Sequence, residues 1–346
     1  MAEEKRKNRW KLILNIITLG ALIVLIYAVR GEISRTFSRL ADVNGWALIL
    51  MLPAQYLNYY SYSNMYKSLL SILDKKVSFK FMFRVTSELN FVNNVFPSGG
   101  LSGFSYFGLR MKGVGVTTGK ATLVQMMRFV LIFVSFQVLL FSGLLILAFN
   151  GGINNLVFLI AGSLSTLLLI GTLSVAFIIG SKKRINGFFT YITKIVNKLI
   201  NIFRPKHPET INIARVEELF TELHENYLVF KKEPKLLRKP LLYSLLANIA
   251  EILTIYVVYI AFGQWVNPGA VIIAYAIANF AGLVSVLPGG IGIYEALMTA
   301  VLASAGIPAG VSLPVTVMYR VLNMSIQLPP GYILYHKAVQ DNDLKT

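Results

Sequence analysis

The sequence contains no cysteine, and only 14% of its 346 residues are charged. The absence of cysteine excludes disulfides, thiolate metal sites, iron–sulfur clusters and palmitoylation. The histidines His207, His224 and His336 show no ligand-like spacing with carboxylates, so no metal site is predicted. The low charge accompanies 55% hydrophobic residues and a mean hydropathy of +0.62, which lie outside the range of soluble globular domains. The sequence therefore predicts an integral membrane protein.

Acidic residues are also scarce, because 33 Lys and Arg stand against 16 Asp and Glu, which gives a formal net charge of +17. The basic residues crowd the N-terminus and residues 181–240 and so flank apolar segments, as the positive-inside rule expects of cytoplasmic loops. This placement argues against nucleic acid as a partner. The sequence also lacks a nucleophile elbow, a phosphate-binding loop, a zincin motif and an acidic cluster, so neither a catalytic residue nor a cofactor is predicted.

Six apolar segments are long enough to cross a bilayer, which takes about 20 helical residues. All three tryptophans fall at predicted span ends, where indole rings favour the headgroup level. The first segment follows a basic run and is interpreted as a retained N-terminal anchor rather than a signal peptide. The segments run from Leu12 to Val29, Trp46 to about Leu70, Ala121 to Phe149, Ile153 to Gly180, Leu241 to Phe262 and Ser312 to Tyr335.

Two further apolar segments, Phe79 to Lys112 and Ala270 to Ala305, are broken near their middles by proline and glycine. Because proline removes a backbone donor, the helix must break there, and irregular backbone at membrane depth survives only inside protein or beside a wet cavity. Each segment is predicted to form a re-entrant hairpin whose tip presents anion-binding N–H groups, although a tight turn also explains either motif alone. The breaks are Phe96-Pro97-Ser98-Gly99-Gly100 and Leu287-Pro288-Gly289-Gly290.

Each broken segment follows an apolar span and precedes a span that carries an arginine, Arg128 or Arg320, which predicts an internal repeat. The positive-inside orientation makes the two preceding spans run in opposite directions, so the repeat is predicted to be inverted. The predicted fold is an all-α polytopic membrane protein with one domain over residues 1–346 and both termini in the cytoplasm. Its parts are an anchor (1–45), a first half with an extra span (46–180), a basic connector (181–240) and a second half (241–346).

The connector contains two stretches with roughly helical spacing of apolar and charged residues, Lys194–Phe203 and Ile213–Phe230. Such stretches are typical of amphipathic surface helices. They are interpreted either as a solvated cytoplasmic link or as a surface that contacts lipid headgroups.

Four charged residues, Arg128, Arg320, Glu251 and Glu295, fall within apolar segments, where a charge costs about 2.5 to 3.5 kcal/mol at a helix centre. The functional interpretation places them around a polar cavity. There the arginines hold a lipid phosphate, and Glu251 or Glu295 holds a cationic headgroup or a coupling proton. The structural alternative is that each glutamate neutralises an arginine from another span and holds the bundle together.

At the two broken motifs, at Leu287–Glu295 and at Met318-Tyr319-Arg320, the sequence resembles the lysylphosphatidylglycerol synthase transmembrane family, over nearly the whole chain. In two-part members of that family, a membrane flippase carries aminoacylated phosphatidylglycerol outward and a cytosolic domain makes the lipid. The resemblance implies a plasma-membrane lipid translocase whose partners are the phospholipid substrate and the bilayer. Since only about ten residues follow Tyr335, the synthase domain is expected to be absent and the chain is not expected to be an enzyme.

The first motif has Ser98 after its proline and no glutamate near Ser105 to match Glu295, so the two hairpins are not expected to have identical roles. The open alternatives are a membrane-embedded lysyltransferase or other lipid-modifying transferase that uses Glu295, or an accessory subunit that recruits a separate lipid synthase. A homodimer also stays open. The predicted substrate-binding residues are Arg128, Arg320, Glu295, Glu251, Pro97, Gly99, Gly100, Pro288, Gly289 and Gly290.

Overall fold

The computed structural model describes residues 40–96, 101–149, 155–203, 213–284 and 290–341, together with scattered positions between 20 and 38. These residues form helices and no strand, which confirms the predicted all-α class. The helices are α1 (Gly45–Leu48), α2 (Met51–Ile72), α3 (Phe79–Val95), α4 (Leu101–Lys112), α5 (Thr118–Phe149), α6 (Asn155–Ile179), α7 (Lys182–Phe203), α8 (Ile213–Lys232), α9 (Arg238–Ala261), α10 (Pro268–Val284), α11 (Ile293–Ser304) and α12 (Ala309–Gln340).

Three stretches are long and apolar enough to cross a membrane, namely α5, α6 and the segment Pro234–Ala261 that ends with α9. They cover three of the six predicted spans. Helices α10 and α11 contain shorter apolar stretches, and α2 and α12 have sufficient length but a more polar sequence. The six-span count therefore stays a prediction. Most of the predicted span 12–29, and the hairpin tips at 97–100 and 285–289, lie outside the described residues.

The outer surface of α6 shows why the bundle needs a membrane. Large apolar side chains, among them Leu159, Leu173 and Phe177, are about 60% exposed along this helix. A continuous apolar surface of this kind is rare on monomeric proteins in water and is suited to a hydrocarbon environment. Helix α6 packs mainly on α5 and makes smaller contacts with α7, α8, α10 and α11.

Two of the tryptophans that were predicted to mark span ends lie near one end of α9. The backbone N–H of Asn44, just before α1, donates to the carbonyl of Ala261 at the end of α9 over 2.9 Å. Trp46 in α1 and Trp265 after α9 are both almost fully exposed. Exposed indoles at one end of the bundle fit the headgroup level of a bilayer.

Four helices before the connector match four helices after it. Helices α2, α3, α4 and α5 contain 22, 17, 12 and 32 residues, and α9, α10, α11 and α12 contain 24, 17, 12 and 32. The two sets also pack reciprocally, because α2 contacts α9, α5 contacts α10, and α3 contacts α12. We call α2–α5 the first set and α9–α12 the second set.

The leading helices of the two sets run antiparallel. Gln55, near the start of α2, donates to Thr254 near the end of α9 over 3.0 Å. Asn58, about one turn later in α2, donates to the carbonyl of Ala247, which lies earlier in α9, over 2.9 Å. Residues later in α2 therefore contact residues earlier in α9, as in an antiparallel helix pair.

Glycines permit both of the remaining contacts between the sets. At the crossing of α5 and α10, a Cβ on Gly269 would lie 2.5 Å from the carbonyl oxygen of Gly143. At the crossing of α12 and α3, a Cβ on Gly331 would lie 2.8 Å from the carbonyl oxygen of Ser87. Close backbone approach through small residues is a common way for membrane helices to associate.

Candidate functional site

A cavity of about 270 Å³ lies between the two helix sets. All the helices of both sets except α4 contribute side chains to its wall, and most of these side chains are polar or aromatic. Arg128, Glu251 and Arg320 lie on this wall, so three of the four predicted charged residues meet at one site. The neutral polar lining consists of Asn58, Tyr59, Tyr62, Tyr66, Thr86, Asn90, Asn93, Asn94, Tyr275, Asn279, Tyr294, Tyr319, Asn323 and Gln327.

Arg128 of α5 is surrounded by aromatic rings rather than by acids. Its guanidinium carbon lies 5.9 Å from the ring centres of Tyr62 and Tyr66 and 5.4 Å from that of Phe129. Its Nε is buried without a hydrogen-bond partner, and no carboxylate of the described residues pairs with it. Rings of this kind stabilise a cation without using its N–H donors. Arg128 is therefore a charged donor group that faces the cavity with capacity for an anion.

Arg320 of α12 is neutralised. Its guanidinium forms a buried ion pair with Glu295 of α11 and lies 5.0 Å from the ring centre of Tyr294. The second carboxylate oxygen of Glu295 accepts the backbone N–H of Gly292 at 2.7 Å, which caps the start of α11. Glu295 is not on the cavity wall. Its geometry corresponds to the structural alternative, in which a glutamate neutralises an arginine of another helix.

Glu251 of α9 is stabilised differently, by neutral donors alone. Its carboxylate accepts Gln55 and Asn58 of α2 at 3.2 and 3.0 Å, Asn323 of α12 at 2.8 Å, and the hydroxyl of Tyr319. No arginine within the described ranges pairs with it. Because an ionised carboxylate offers about four acceptor positions, these donors suit the charged form. Glu251 thus joins three helices at the cavity wall through hydrogen bonds from uncharged side chains.

A chain of amides continues this network across the cavity. Gln327 donates to Gln55 at 2.6 Å and to Asn323 at 2.9 Å. Asn90 of α3 donates to Gln327 at 2.6 Å and to Tyr59 at 2.7 Å. The wall from α9 through α2 and α12 to α3 is therefore hydrogen-bonded in a fixed arrangement, as is usual for buried polar networks.

The predicted hairpin tips lie mostly outside the described residues. These are Pro97, Gly99 and Gly100 in the first motif and Pro288 and Gly289 in the second. Gly290 is described, has a φ of +66°, and would place a Cβ 3.0 Å from the Cα of Gly282 on the cavity wall. Both features require glycine at this position.

Sequence reasoning missed two features, one on the cavity wall and one between α3 and α4. Asn90 and Asn279 each lie eleven residues after the first residue of α3 and α10, and both line the cavity. The available signal was an amide at the same place in the two broken segments. The second feature is a buried ion pair between Glu88 of α3 and Arg110 of α4 at 2.8 Å, to which Tyr106 donates at 2.9 Å.

A comparison with known protein families matches residues 12–331 to the "Lysylphosphatidylglycerol synthase TM region". This chain belongs to that family. The family resemblance predicted from the Pro-Gly motifs is confirmed, and the membrane location with it. All residues of the cavity wall fall within the matched range of the lysylphosphatidylglycerol synthase transmembrane region.

Curated relatives of this family member are described only as UPF0104 membrane proteins. One from Methanothermobacter thermautotrophicus is 35% identical over 80 residues, which cover 23% of this chain and 24% of the relative. One from Pyrococcus horikoshii is 28% identical over 145 residues, which cover 40% of this chain and 43% of the relative. The aligned part is less than half of either relative.

Proposed function

We propose that the chain is a lipid translocase that moves an anionic or aminoacylated phospholipid, such as phosphatidylglycerol or its lysyl derivative, between membrane leaflets. The observation that carries this proposal is Arg128, a charged side chain on the wall of a central cavity with no carboxylate partner within the described residues. A charge at membrane depth costs free energy, so a retained charge indicates a functional role. The guanidinium fork of arginine fits the oxygens of a phosphate. A phosphodiester headgroup supplies the missing acceptor.

The two signs of charge in the cavity suit an aminoacylated headgroup. The pair of Arg320 and Glu295 is internally neutral, which leaves Arg128 and Glu251 as the formal charges at the wall. A lysylated phosphatidylglycerol headgroup carries a phosphate for the former and ammonium groups for the latter. We infer that Glu251 holds this cationic part of the lipid or a coupling proton.

The cavity size supports binding of a headgroup rather than of a whole lipid. Its volume of about 270 Å³ is close to the lower end of the range, about 300 to 1,000 Å³, that is usual for small-ligand pockets. The acyl chains then stay in the bilayer while the headgroup crosses through the protein. This mode needs a polar path and no chemical step, which favours transport over catalysis.

The matched helix sets support a transport mechanism. We infer that they form an inverted repeat with two re-entrant hairpins, within a chain of six spans, since their leading helices α2 and α9 are antiparallel. Binding at the interface of inverted halves permits access from alternate sides of the membrane. In this arrangement both termini lie in the cytoplasm of the plasma-membrane protein, as the positive-inside rule predicts.

The test is leaflet exchange in reconstituted vesicles. Purified protein is inserted into liposomes that contain fluorescent phosphatidylglycerol or its lysyl derivative, and a membrane-impermeant quencher reports the label in the outer leaflet over time. The Arg128→Ala variant is expected to slow exchange about tenfold or more, because it removes hydrogen bonds from a charged donor that contribute about 1.5–3 kcal/mol. Arg128→Lys is expected to be intermediate, since it keeps the charge but loses the fork.

Arg84 provides the matched control, because it is an exposed arginine on α3 outside the cavity wall, and Arg84→Ala is expected to exchange lipid at the wild-type rate. Equal exchange by wild type and an Arg128→Ala/Arg320→Ala variant contradicts the proposal. Formation of modified lipid on addition of charged tRNA or a nucleotide sugar points to a transferase instead. Exchange that requires an added synthase points to an accessory subunit.

A further inference from the structure

Helix α7 has an unusual charge composition. It contains five basic residues and no acidic residue among its 22 positions, whereas the following helix α8 contains four glutamates. The two helices pack on each other, and the hydroxyl of Thr190 in α7 donates to Glu217 of α8 at 3.2 Å. Helix α7 is therefore uniformly basic, whereas α8 carries both signs of charge, since Arg215, Lys231 and Lys232 accompany its glutamates.

Helix α7 exposes three apolar side chains and buries two polar ones, although Ile185 is also buried. Phe188, Tyr191 and Ile195 are 42%, 66% and 41% exposed, while Thr193 and Asn197 are only 7% and 6% exposed. The three apolar residues are spaced three and four apart, so they form one stripe along the helix. An apolar stripe thus lies on the exposed side of α7, and part of the inward side is polar.

Lysines border this apolar stripe. Lys194 and Lys198 are exposed, and each lies three residues after a member of the stripe, Tyr191 and Ile195 respectively. A lysine in this position lies with its aliphatic stem along apolar surface and extends its ammonium group toward the headgroups. A stripe of aromatic and aliphatic residues with lysines at its edge is the pattern of interfacial membrane helices.

The position of α7 in the chain places it at the membrane surface. It begins at Lys182, directly after the membrane-capable helix α6 ends at Ile179. Arg184 folds back over this corner: its Nε donates to the carbonyl of Phe177 at 2.8 Å, and its guanidinium carbon lies 4.0 Å from the centre of the Phe177 ring. Helix α7 therefore starts where α6 leaves the hydrocarbon.

We propose that α7 lies in the headgroup region of the adjacent leaflet and binds an anionic phospholipid surface through Lys194 and Lys198, with Phe188, Tyr191 and Ile195 inserted below the headgroups. This surface is separate from the central cavity and does not depend on translocation. Anionic lipid is the occupant that fits, because it offers both an apolar layer for the stripe and negative charge for the lysines.

The absence of cysteine permits a direct test with the full-length chain, since a single introduced cysteine takes a spin label without background. Labels are placed at Tyr191→Cys and Ile195→Cys, and at Glu225→Cys on the exposed face of α8 as a control. The protein is reconstituted in phosphatidylcholine vesicles with and without phosphatidylglycerol. Collision of each label with oxygen, which concentrates in the bilayer, is compared with collision with a water-soluble nickel chelate.

With phosphatidylglycerol present, the ratio of oxygen to nickel accessibility at positions 191 and 195 is expected to exceed that at 225 by about threefold or more. Adding Lys194→Glu and Lys198→Glu is expected to lower the ratio toward that of the control, because both charges then repel the surface. Lys194→Gln with Lys198→Gln provides a milder second variant. Unchanged elution in size-exclusion chromatography shows that the variants remain folded.

Three outcomes overturn the proposal. Nickel accessibility at 191 and 195 equal to that at 225 shows a solvated connector. Protection from both oxygen and nickel shows that a protein partner or a second copy covers the stripe. An oxygen preference that is the same without phosphatidylglycerol, and that is unchanged by the lysine reversals, shows that the stripe inserts but recognises no anionic lipid.

Discussion

The first and second helix sets share their helix lengths and mutual packing but pair their charges differently. In the first set, Glu88 and Arg110 form an ion pair between α3 and α4. The residues at the same positions of α10 and α11 are Ile277 and Leu302, which belong to the apolar core. A buried ion pair therefore lies between α3 and α4 in the first set, whereas the matching positions of α10 and α11 carry apolar side chains.

For the arginines that face the cavity, the second set forms the ion pair and the first set does not. Arg128 lies ten residues after the start of α5, and Arg320 lies eleven residues after the start of α12. Arg320 pairs with Glu295, whereas Arg128 contacts aromatic rings. The asymmetry teaches that the arginine of α12 joins α11 to α12 through an ion pair, while the arginine of α5 is held by aromatic rings.

The largest expected effect comes from breaking the ion pair of the first set. Arg110→Ala leaves the Glu88 carboxylate without its arginine at a site where both side chains are at most 4% exposed. Loss of one partner of a buried pair costs about 3–5 kcal/mol of unfolding free energy. The measurement is unfolding of the purified protein in detergent by heat or denaturant.

The double variant Glu88→Ile/Arg110→Leu copies the second set and controls this experiment. It is expected to unfold within about 1 kcal/mol of wild type, since apolar replacement of a whole buried pair is often neutral or stabilising. If the double variant is as unstable as Arg110→Ala, apolar residues cannot replace the ion pair of the first set, and the two sets are not equivalent at these positions.

The next effect concerns the glycines where the sets cross. Gly269→Ala places a Cβ 2.5 Å from one backbone atom and 2.9 Å from another, and Gly331→Ala places one 2.8 Å from a backbone oxygen. Overpacking of this kind costs about 1–3 kcal/mol. Gly269→Ala is expected to cost more, because its Cβ meets two backbone atoms and makes the shorter contact. The same unfolding assay ranks the two variants.

Gly108→Ala on α4 is the control for both crossings, because no atom lies within 4 Å of its added Cβ. It is expected to be neutral or slightly stabilising, since alanine favours helix. If all three variants unfold alike, the close approach of the two sets does not contribute to stability.

The features that depend on distance along the chain, namely the matched arginines and the apolar spans, could be predicted from the sequence. Arg128 and Arg320 were matched by their distance from the Pro-Gly motifs, and their helices have equal lengths in the structure. The apolar stretches of α5, α6 and α9 were also predictable, because hydropathy over about 20 residues reports a span directly.

Pairing between helices could not be predicted from spacing. Glu251 and Glu295 looked equivalent as single charges in apolar segments, yet one accepts neutral donors from α2 and α12 and the other pairs with Arg320. Which partner a buried charge meets depends on the rotation and depth of each helix. Local sequence does not specify these quantities, since side-chain packing between distant segments sets them.

The smallest predicted effect tests why no carboxylate of the described residues pairs with Arg128. Glu295 is the third residue of α11, and the third residue of α4 is Gly103. A Cβ on Gly103 would lie 2.1 Å from the amide oxygen of Asn93, whereas the residue that matches Asn93 in α10 is Gly282. The Asn93 side chain thus occupies the space that a glutamate at position 103 would need.

The variant Asn93→Gly/Gly103→Glu removes that obstacle and gives the first set the residues of the second. The new carboxylate is expected to pair with Arg128, because Phe104 beside it stacks on Phe129, with ring centres 6.5 Å apart. Pairing competes with the lipid phosphate and is expected to slow leaflet exchange about tenfold, which corresponds to about 1.4 kcal/mol. Asn93→Gly alone controls for the lost amide. Exchange at the wild-type rate by the double variant would mean that Arg128 does not bind the lipid.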